Sequence, residues 1–471
     1  MEHPSSRPLS LSRFKASFFG VAAPHVWIFC ATHRSEVDYG SVEPSVPLYL
    51  CLSLCMLLAM VAAWRFSVEV TKSSFLSGIV STISALATIA LVCPPAQMGE
   101  AGIVLCSCAV GAGIAWSYLE WVPFYARLEV KDAIACVFVA MAVGSALKTA
   151  IDLAPAPVAA LCLAAMPFVS LAAARAALRE TPAPPDDVPQ YYDGRVASVP
   201  WRILAGVGAY SLVIGVVQGT PIGIDASSTA LTVVHHAAEI VVAAAVLWWV
   251  FARRGLLRFA SLWRAIMFFS ATGLFFLPVL GSQWTGWALI SVSIAQTLIV
   301  MLFWVMLADV SRHSSVSPYA VFGAGWVAYT LPFAVGRQLG ALLDAWAPAG
   351  TVLLLMAYLL ALAAVFALSE NDISQRRIFA ELEGAAPSRS LFAGIEQGCH
   401  RIAARAGLTA REEEVMVLLC QGRSKSYIAE SLFISENTVR SHSKNIYRKL
   451  GVHSKQELLD LVSVPEDAAR V

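Results

Sequence analysis

Charged side chains are scarce in this sequence. Asp, Glu, Lys and Arg make up 14% of its 471 residues while 58% are hydrophobic; an ordinary soluble domain is about 25% charged. A chain that is water-soluble along its whole length is therefore excluded. Between Phe75 and Val92 there is no Asp, Glu, Lys, Arg or His at all, and about 20 apolar residues at helical rise cross the roughly 30 Å hydrocarbon layer. Several such runs recur, which makes this a polytopic membrane protein embedded in a lipid bilayer.

Cysteine frameworks and catalytic sets are also missing. The ten cysteines include no CxxC pair and no Cys/His set with zinc spacing. Cys51, Cys55, Cys106, Cys108, Cys136 and Cys162 lie in apolar runs, where a thiol behaves as a small hydrophobe. No nucleophile–base pair or metal-ligand cluster stands in a polar stretch, so no enzyme, catalytic residue, cofactor or metal is expected. Arg7, Arg13 and Lys15 followed by an apolar run, without a small-residue cleavage site, read as an uncleaved first helix.

Apolar runs bounded by charges, Pro or Gly place twelve spans. They lie near 15–32, 46–64, 75–92, 99–119, 131–152 and 157–178, then 200–218, 229–251, 259–280, 284–308, 318–338 and 348–368. The Pro- and acid-rich loop 179–199 divides them six and six. Sixteen Lys and Arg residues, among them Arg65, Lys72, Arg127, Arg253 and Arg254, then fall on one side, against Arg34, Lys148 and Arg337 on the other. Basic residues are retained in the cytoplasm, so both termini are expected there, in a multi-pass protein of the cell membrane.

A six-plus-six layout with a polar central loop and basic loops after the second and eighth spans resembles the major facilitator architecture. That resemblance implies two six-helix halves around a midplane cavity. It rests on layout: where the family usually has Gly-x-x-x-Asp-Arg-x-Gly-Arg-Arg, this chain has RFSVEVTKSS over 65–74. Inside the spans, polar groups are costly and usually face a cavity or a partner. His235 and Glu239 are one helical turn apart in the eighth span. Glu239 stands about 14 residues, roughly 21 Å, from the Arg253–Arg254 pair, near mid-depth. Two readings stand side by side for this pair: a ligand or proton site, or hydrogen bonds that pack helices. Lys148 and Asp152, also one turn apart, read as a local ion pair. Gln218, Gln296 and Arg337 are further candidate cavity groups, and the Gly215/Gly219 and Gly336/Gly340 pairs read as close helix packing.

Beyond Ser369 the composition changes. Residues 369–405 read as a linker after a membrane domain over 1–368, and 406–471 as a separate domain with four short helices. Thr409-Ala-Arg-Glu412 is a capping box, followed by Val415, Leu418 and Leu419 on one face, with Gly422 as a stop. Ser424 can cap a second helix carrying Ile428, Ala429 and Leu432. Ser435 caps a third that runs to Gly451, and Ser454-Lys-Gln-Glu457 opens a fourth. On the third helix Val439, Ile446 and Leu450 have core spacing, while Arg440, Lys444 and Arg448 form a cationic stripe. Two short helices, a turn and a longer basic helix make a helix-turn-helix.

The stretch LTAREEEVMVLLCQGRSKSYIAESLFISENTVRSHSKNIYRKLGVHSKQEL, residues 408–458, resembles the LuxR/FixJ-type DNA-binding domain. It holds that family's Leu-Thr-x-Arg-Glu, Ile-Ala-x-x-Leu-x-Ile-Ser, Thr-Val-Arg-x-His and Lys-Leu-Gly-Val elements. The resemblance implies that Arg440, Ser441 and Lys444 enter the major groove of double-stranded DNA, with Thr438 on phosphate, and that two copies bind as a homodimer. Lys425, Tyr427, Arg448 and Lys449 are further candidate DNA contacts; Lys425 and Tyr427 depart from the family's usual Asn and Glu. The fold class expected is thus all-α: a twelve-helix, major-facilitator-like transmembrane bundle plus a C-terminal four-helix LuxR-type domain. The function expected is a membrane-embedded transcription regulator, its transporter-like domain sensing an unknown small-molecule ligand. The alternative is a major-facilitator-type transporter with a regulatory DNA-binding tail.

Overall fold

The computed structural model describes residues 15–31, 42–66, 70–95, 98–184, 201–220, 229–252, 259–276, 282–344 and 349–367, parts of 398–461, and a few isolated positions. Among the described residues all the regular elements are helices. The chain divides into two compact units, Met1–Glu383 and Gly384–Val471.

Among the described residues the first unit contains twelve apolar helices. A 3₁₀ turn, Ala16–Phe19, leads into α1 (Ala22–Cys30). Then come α2 (Ser45–Phe66), α3 (Ser74–Val92), α4 (Glu100–Tyr125), α5 (Val130–Asp152) and α6 (Ala156–Glu180). After the central loop follow α7 (Trp201–Gly219), α8 (Thr229–Leu247, continued by a π turn Trp248–Ala252), α9 (Phe259–Phe276), α10 (Ser282–Arg312), α11 (Pro318–Asp344) and α12 (Ala349–Ala367). Eight are long and apolar enough to cross a membrane, and four are shorter apolar helices: Ala16–Cys30, Ile203–Gly219, Ala265–Phe276 and Gly350–Ala363. Large apolar side chains such as Leu58, Phe75, Leu161 and Phe268 are more than half exposed, a surface that suits lipid and not water. The chain is a multi-pass membrane protein. The central loop beyond residue 184 lies, except for one position, outside the described residues.

The packing repeats from one half to the other. In the first six helices α1 packs on α5 and α6, α2 on α4, and α3 on α4 and α6. In the second six α7 packs on α11 and α12, α8 on α10, and α9 on α10 and α12. Contacts between the halves obey the same two-fold rule: α2 meets α11 and α5 meets α8, while α4 meets α11 and α5 meets α10. Six plus six is therefore a property of the packing itself. Close approach needs small residues, since nothing but van der Waals contact and hydrogen bonds drives helices together in lipid. A Cβ on Gly215 of α7 would lie 2.4 Å from the Phe333 carbonyl oxygen of α11, and one on Gly340 would lie 2.2 Å from that of Val216. The two glycine pairs face each other, as close-packing motifs do.

The second unit has its own apolar core of Val415, Met416, Leu419, Ile428, Val439, Ile446 and Leu458. Its core also draws in Cys399, with Ile402 packed against it, and both fall in the stretch expected to be linker. The capping box forms as the sequence implied. The backbone N–H of Thr409 donates to Glu412 Oε2 at 2.9 Å and that of Glu412 to Thr409 Oγ1 at 3.3 Å, opening α13 (Ala410–Cys420). The Ser435 hydroxyl accepts from the Thr438 N–H at 3.1 Å and starts α14 (Glu436–Leu450), which ends at Gly451 with φ +67°, a left-handed backbone where glycine carries no Cβ penalty. Residues 421–427 and 453–456, with the expected caps at Ser424 and Ser454, lie outside the described residues.

Candidate functional site

The polar residues singled out in the spans converge where the halves meet. Glu239 of α8 is fully buried. Its Oε2 accepts from Lys148 Nζ at 2.7 Å and Ser145 Oγ at 2.6 Å, both on α5. Its Oε1 accepts from Thr297 Oγ1 of α10 at 2.6 Å. His235 Nε2 stands 3.4 Å from Oε1 and His236 Nδ1 3.3 Å from Oε2. Phe29 of α1 roofs the cluster, with Lys148 Nζ 4.8 Å from its ring centre and its edge against His236.

Part of this was legible. His235 and Glu239 are together, as one helical turn requires. The local Lys148–Asp152 pair is not formed. Lys148 turns to Glu239, 91 residues away in sequence, and Asp152 faces His236 Nε2 at 3.4 Å. The reason is burial: a carboxylate with no access to water needs the cation more than Asp152, which keeps 21% of its side chain exposed. Sequence reasoning missed His236, Ser145 and Thr297. Of these only His236 left a signal, because it sits three residues before Glu239 on the same helical face.

His235, His236 and Glu239 also have ligand atoms within 4.8 Å of one another, a spacing that suits a metal ion. A carboxylate has about four lone-pair sites, and the Lys, Ser and Thr donors together with the two imidazoles already occupy them. A cation entering here would have to displace the Lys148 ammonium, so the geometry fits an ion-pair site better than a metal centre.

A second polar chain joins the same pair of halves, from Glu43 just before α2 through α7, α10 and α11. Arg337 pairs with Glu43 and donates to Gln218 Oε1 at 3.2 Å. Gln218 donates to Gln296 at 2.8 Å, and Gln296 to the Tyr329 hydroxyl at 3.0 Å. All three candidate cavity groups thus belong to one network. The rings of Tyr118 of α4, Trp304 of α10 and Trp326 and Phe322 of α11 also pack across the meeting of the halves, at centroid distances of 4.6–5.4 Å.

In the second unit α14 presents two faces. Val439, Ser443 and Ile446 are buried, with Leu450 partly so. Arg440, Ser441, Lys444 and Arg448 are exposed on the other, and Arg448 donates to Asn445 at 3.3 Å. Thr438 is half-buried, its hydroxyl 2.8 Å from that of Ser435. Lys449 departs from the stripe: its Nζ donates to Glu412 Oε2 at 2.7 Å and to the Gly407 carbonyl at 3.1 Å. That ties α14 to α13 and leaves Lys449 less free for phosphate than its spacing suggested. Lys425 and Tyr427 lie outside the described residues. The Lys449 ammonium, and then the Thr409 N–H, hold the Glu412 carboxyl down at about 2.

Residues 406–462 match the family described as "Bacterial regulatory proteins, luxR family". The spore germination protein GerE of Bacillus subtilis (strain 168) is 47% identical over 60 residues, which are 12% of this chain and 81% of GerE. The uncharacterized response regulatory protein YgeK of Escherichia coli (strain K12) is 38% identical over 72 residues, and the fimbriae Z protein of the same strain 42% over 59. The matched stretches cover 49% and 28% of those two proteins. Among solved structures, a major facilitator superfamily transporter, FucP, in the outward conformation, is similar at a TM-score of 0.46 and 12% identity, over 74% of this chain and 96% of that one; at that level the helix arrangement is judged from its own packing. The 60-residue similarity to GerE covers most of that protein, and the chain belongs to the luxR family of bacterial regulatory proteins, with its DNA-binding domain joined to a multi-pass membrane protein.

Proposed function

We propose that the chain is a membrane-embedded transcription regulator, in which the twelve-helix unit over 1–368 senses a small molecule and controls a cytoplasmic DNA-binding domain over 406–471. The observation that carries this is the joining of a luxR-type domain to two packed halves latched by a buried Lys148–Glu239 pair. Such a latch is a two-state element, and a ligand shifts it only by binding one state better than the other. Both termini and the central loop lie in the cytoplasm on this reading. Arg440, Ser441 and Lys444 read base edges, the Arg and Lys donating to guanine O6 and N7. Thr438, Arg448, Lys425 and Tyr427 set register on the phosphates, in a homodimer on DNA.

The test uses Glu239→Gln and His235→Ala. Each is expected to leave DNA binding by the detached tail unchanged and to lock target-gene output in the full-length protein, high or low, whatever is supplied outside. If both variants insert normally and respond as the parent does, the cluster only packs helices. The two-fold repeat favours a second reading, a major-facilitator-type transporter whose tail regulates it or its own gene. Substrate accumulation by vesicles holding the purified protein would decide for that reading.

A further inference from the structure

Among the described residues, two Lys or Arg pairs with a carboxylate join the two halves and cross between them in the same sense. Each cation sits in the last third of the fifth helix of its half, Lys148 on α5 and Arg337 on α11. Each reaches a carboxylate from the second-helix hairpin of the opposite half, Glu239 within α8 and Glu43 just before α2. The two pairs are not built alike. Glu239 is fully buried and its lone pairs are taken by groups from three helices. Arg337 is also buried, with 8% of its side chain exposed, yet its partner Glu43 is a loop residue that is 38% exposed. Around Arg337, Nη1 is held by Gln218, but Nε is buried and has no hydrogen-bond partner among the described residues. A guanidinium presents five donors in a fork that fits a carboxylate through two parallel bonds. An unsatisfied buried donor costs about 1–3 kcal/mol, so the site as it stands is incompletely filled.

We propose that Arg337, with Gln218 beside it, is the recognition group of a binding site for a ligand carboxylate, and that Glu43 is the internal carboxylate which occupies it when no ligand is bound. The exposed Glu43 makes the site reachable from the surface, whereas Arg337 supplies a desolvated positive charge that only an anion compensates favourably. A ligand carboxylate that reaches Nε as well as Nη2 makes one bond more than Glu43 does, and binding releases Glu43 from Arg337. Beside the pair runs an apolar groove of about 340 Å³ lined by Val46, Leu50, Ala334, Val335, Gln338 and Leu339. A carboxylate from the lipid phase and one from water are therefore both chemically suited, and they differ in the chain they carry. The inference is independent of the sensor reading, because binding is measured without transcription.

The experiment is calorimetric titration of the purified full-length protein in lipid nanodiscs with butyrate, laurate and dodecanol. Glu43→Ala removes the competitor and is expected to tighten carboxylate binding at least tenfold over the parent. Arg337→Lys keeps the charge but loses the fork, and in the Glu43→Ala background it should weaken binding at least tenfold. Laurate alone gaining affinity assigns the site to an amphiphile, and butyrate gaining equally assigns it to a soluble acid. Dodecanol gaining as much as laurate, or Glu43→Ala gaining for neither carboxylate, overturns the proposal, and does so even if the Arg337 variant fails to fold.

Discussion

Two lysine–glutamate pairs in this protein have the same length and opposite consequences. Lys148–Glu239 in the first unit and Lys449–Glu412 in the second both close at 2.7 Å. The first pair is buried, with 10% and 0% of its side chains exposed; the second leaves 30% of Lys449 in solvent. Distance alone does not rank them. In a buried pair each charge has given up its hydration, so removing one partner strands the other at a cost of about 3–5 kcal/mol. A pair whose lysine is wet gains little from its partner, typically under about 1 kcal/mol. The buried pair therefore suits a switch between discrete arrangements, and the other a steady tie between two helices.

The largest effect should come from breaking the buried pair on one side only. Lys148→Met is expected to lower the stability of the purified full-length protein by about 3–5 kcal/mol, read as thermal unfolding in detergent. Lys148→Met combined with Glu239→Gln should recover much of that loss, because neither charge is then stranded. A double variant as unstable as the sum of the singles would mean that the pair is not coupled.

Next in size are the exposed cations of α14. Arg440→Ala and Lys444→Ala should each cost about 1–3 kcal/mol of binding to the preferred DNA site and relax base preference. Since both side chains are exposed, the melting temperature of the isolated 384–471 unit should not move. Losses at Arg440 and Lys444 equal to that at Thr438, and like it independent of DNA sequence, would refute the assignment of base readers.

The surface pair sharpens the comparison through pH. Glu412 is held at about 2, below its ordinary 4.5. A depressed carboxyl contributes stability that is complete above its unfolded value and is lost as pH falls from about 4.5 towards 2. Acid unfolding of the 384–471 unit should show that dependence, and Glu412→Gln should remove it. The smallest effect expected is that of Lys449→Met, under about 1 kcal/mol at neutral pH, and it should shrink further in high salt. A loss near that of Lys148→Met would erase the distinction between the two pairs.

Element by element, the sequence was readable where structure depends on near neighbours. Spans are set by apolar length, so twelve runs became twelve helices, with α4 and α10 extending several residues beyond the expected ends because their continuations, such as Trp121 and Asp309, are buried in the bundle. Caps are local too, so Thr409–Glu412 and Ser435 formed as read. The exposed cationic face of Arg440, Lys444 and Arg448 followed from helical period, whereas Lys449 pairs with Glu412 on another helix.

What the sequence by itself determined is thus the apolar helices of the membrane unit, the luxR-type domain that follows it, and the exposed cationic face of α14, because hydropathy, capping and period act over a few residues. Only the tertiary structure decided the partners: Lys148 with Glu239 and not Asp152, Arg337 with Glu43, Ser145 and Thr297 on a carboxylate of another helix. Those choices depend on how helices rotate and slide against one another, and on which carboxylate is left driest when they do. Spacing along one chain segment carries no record of either.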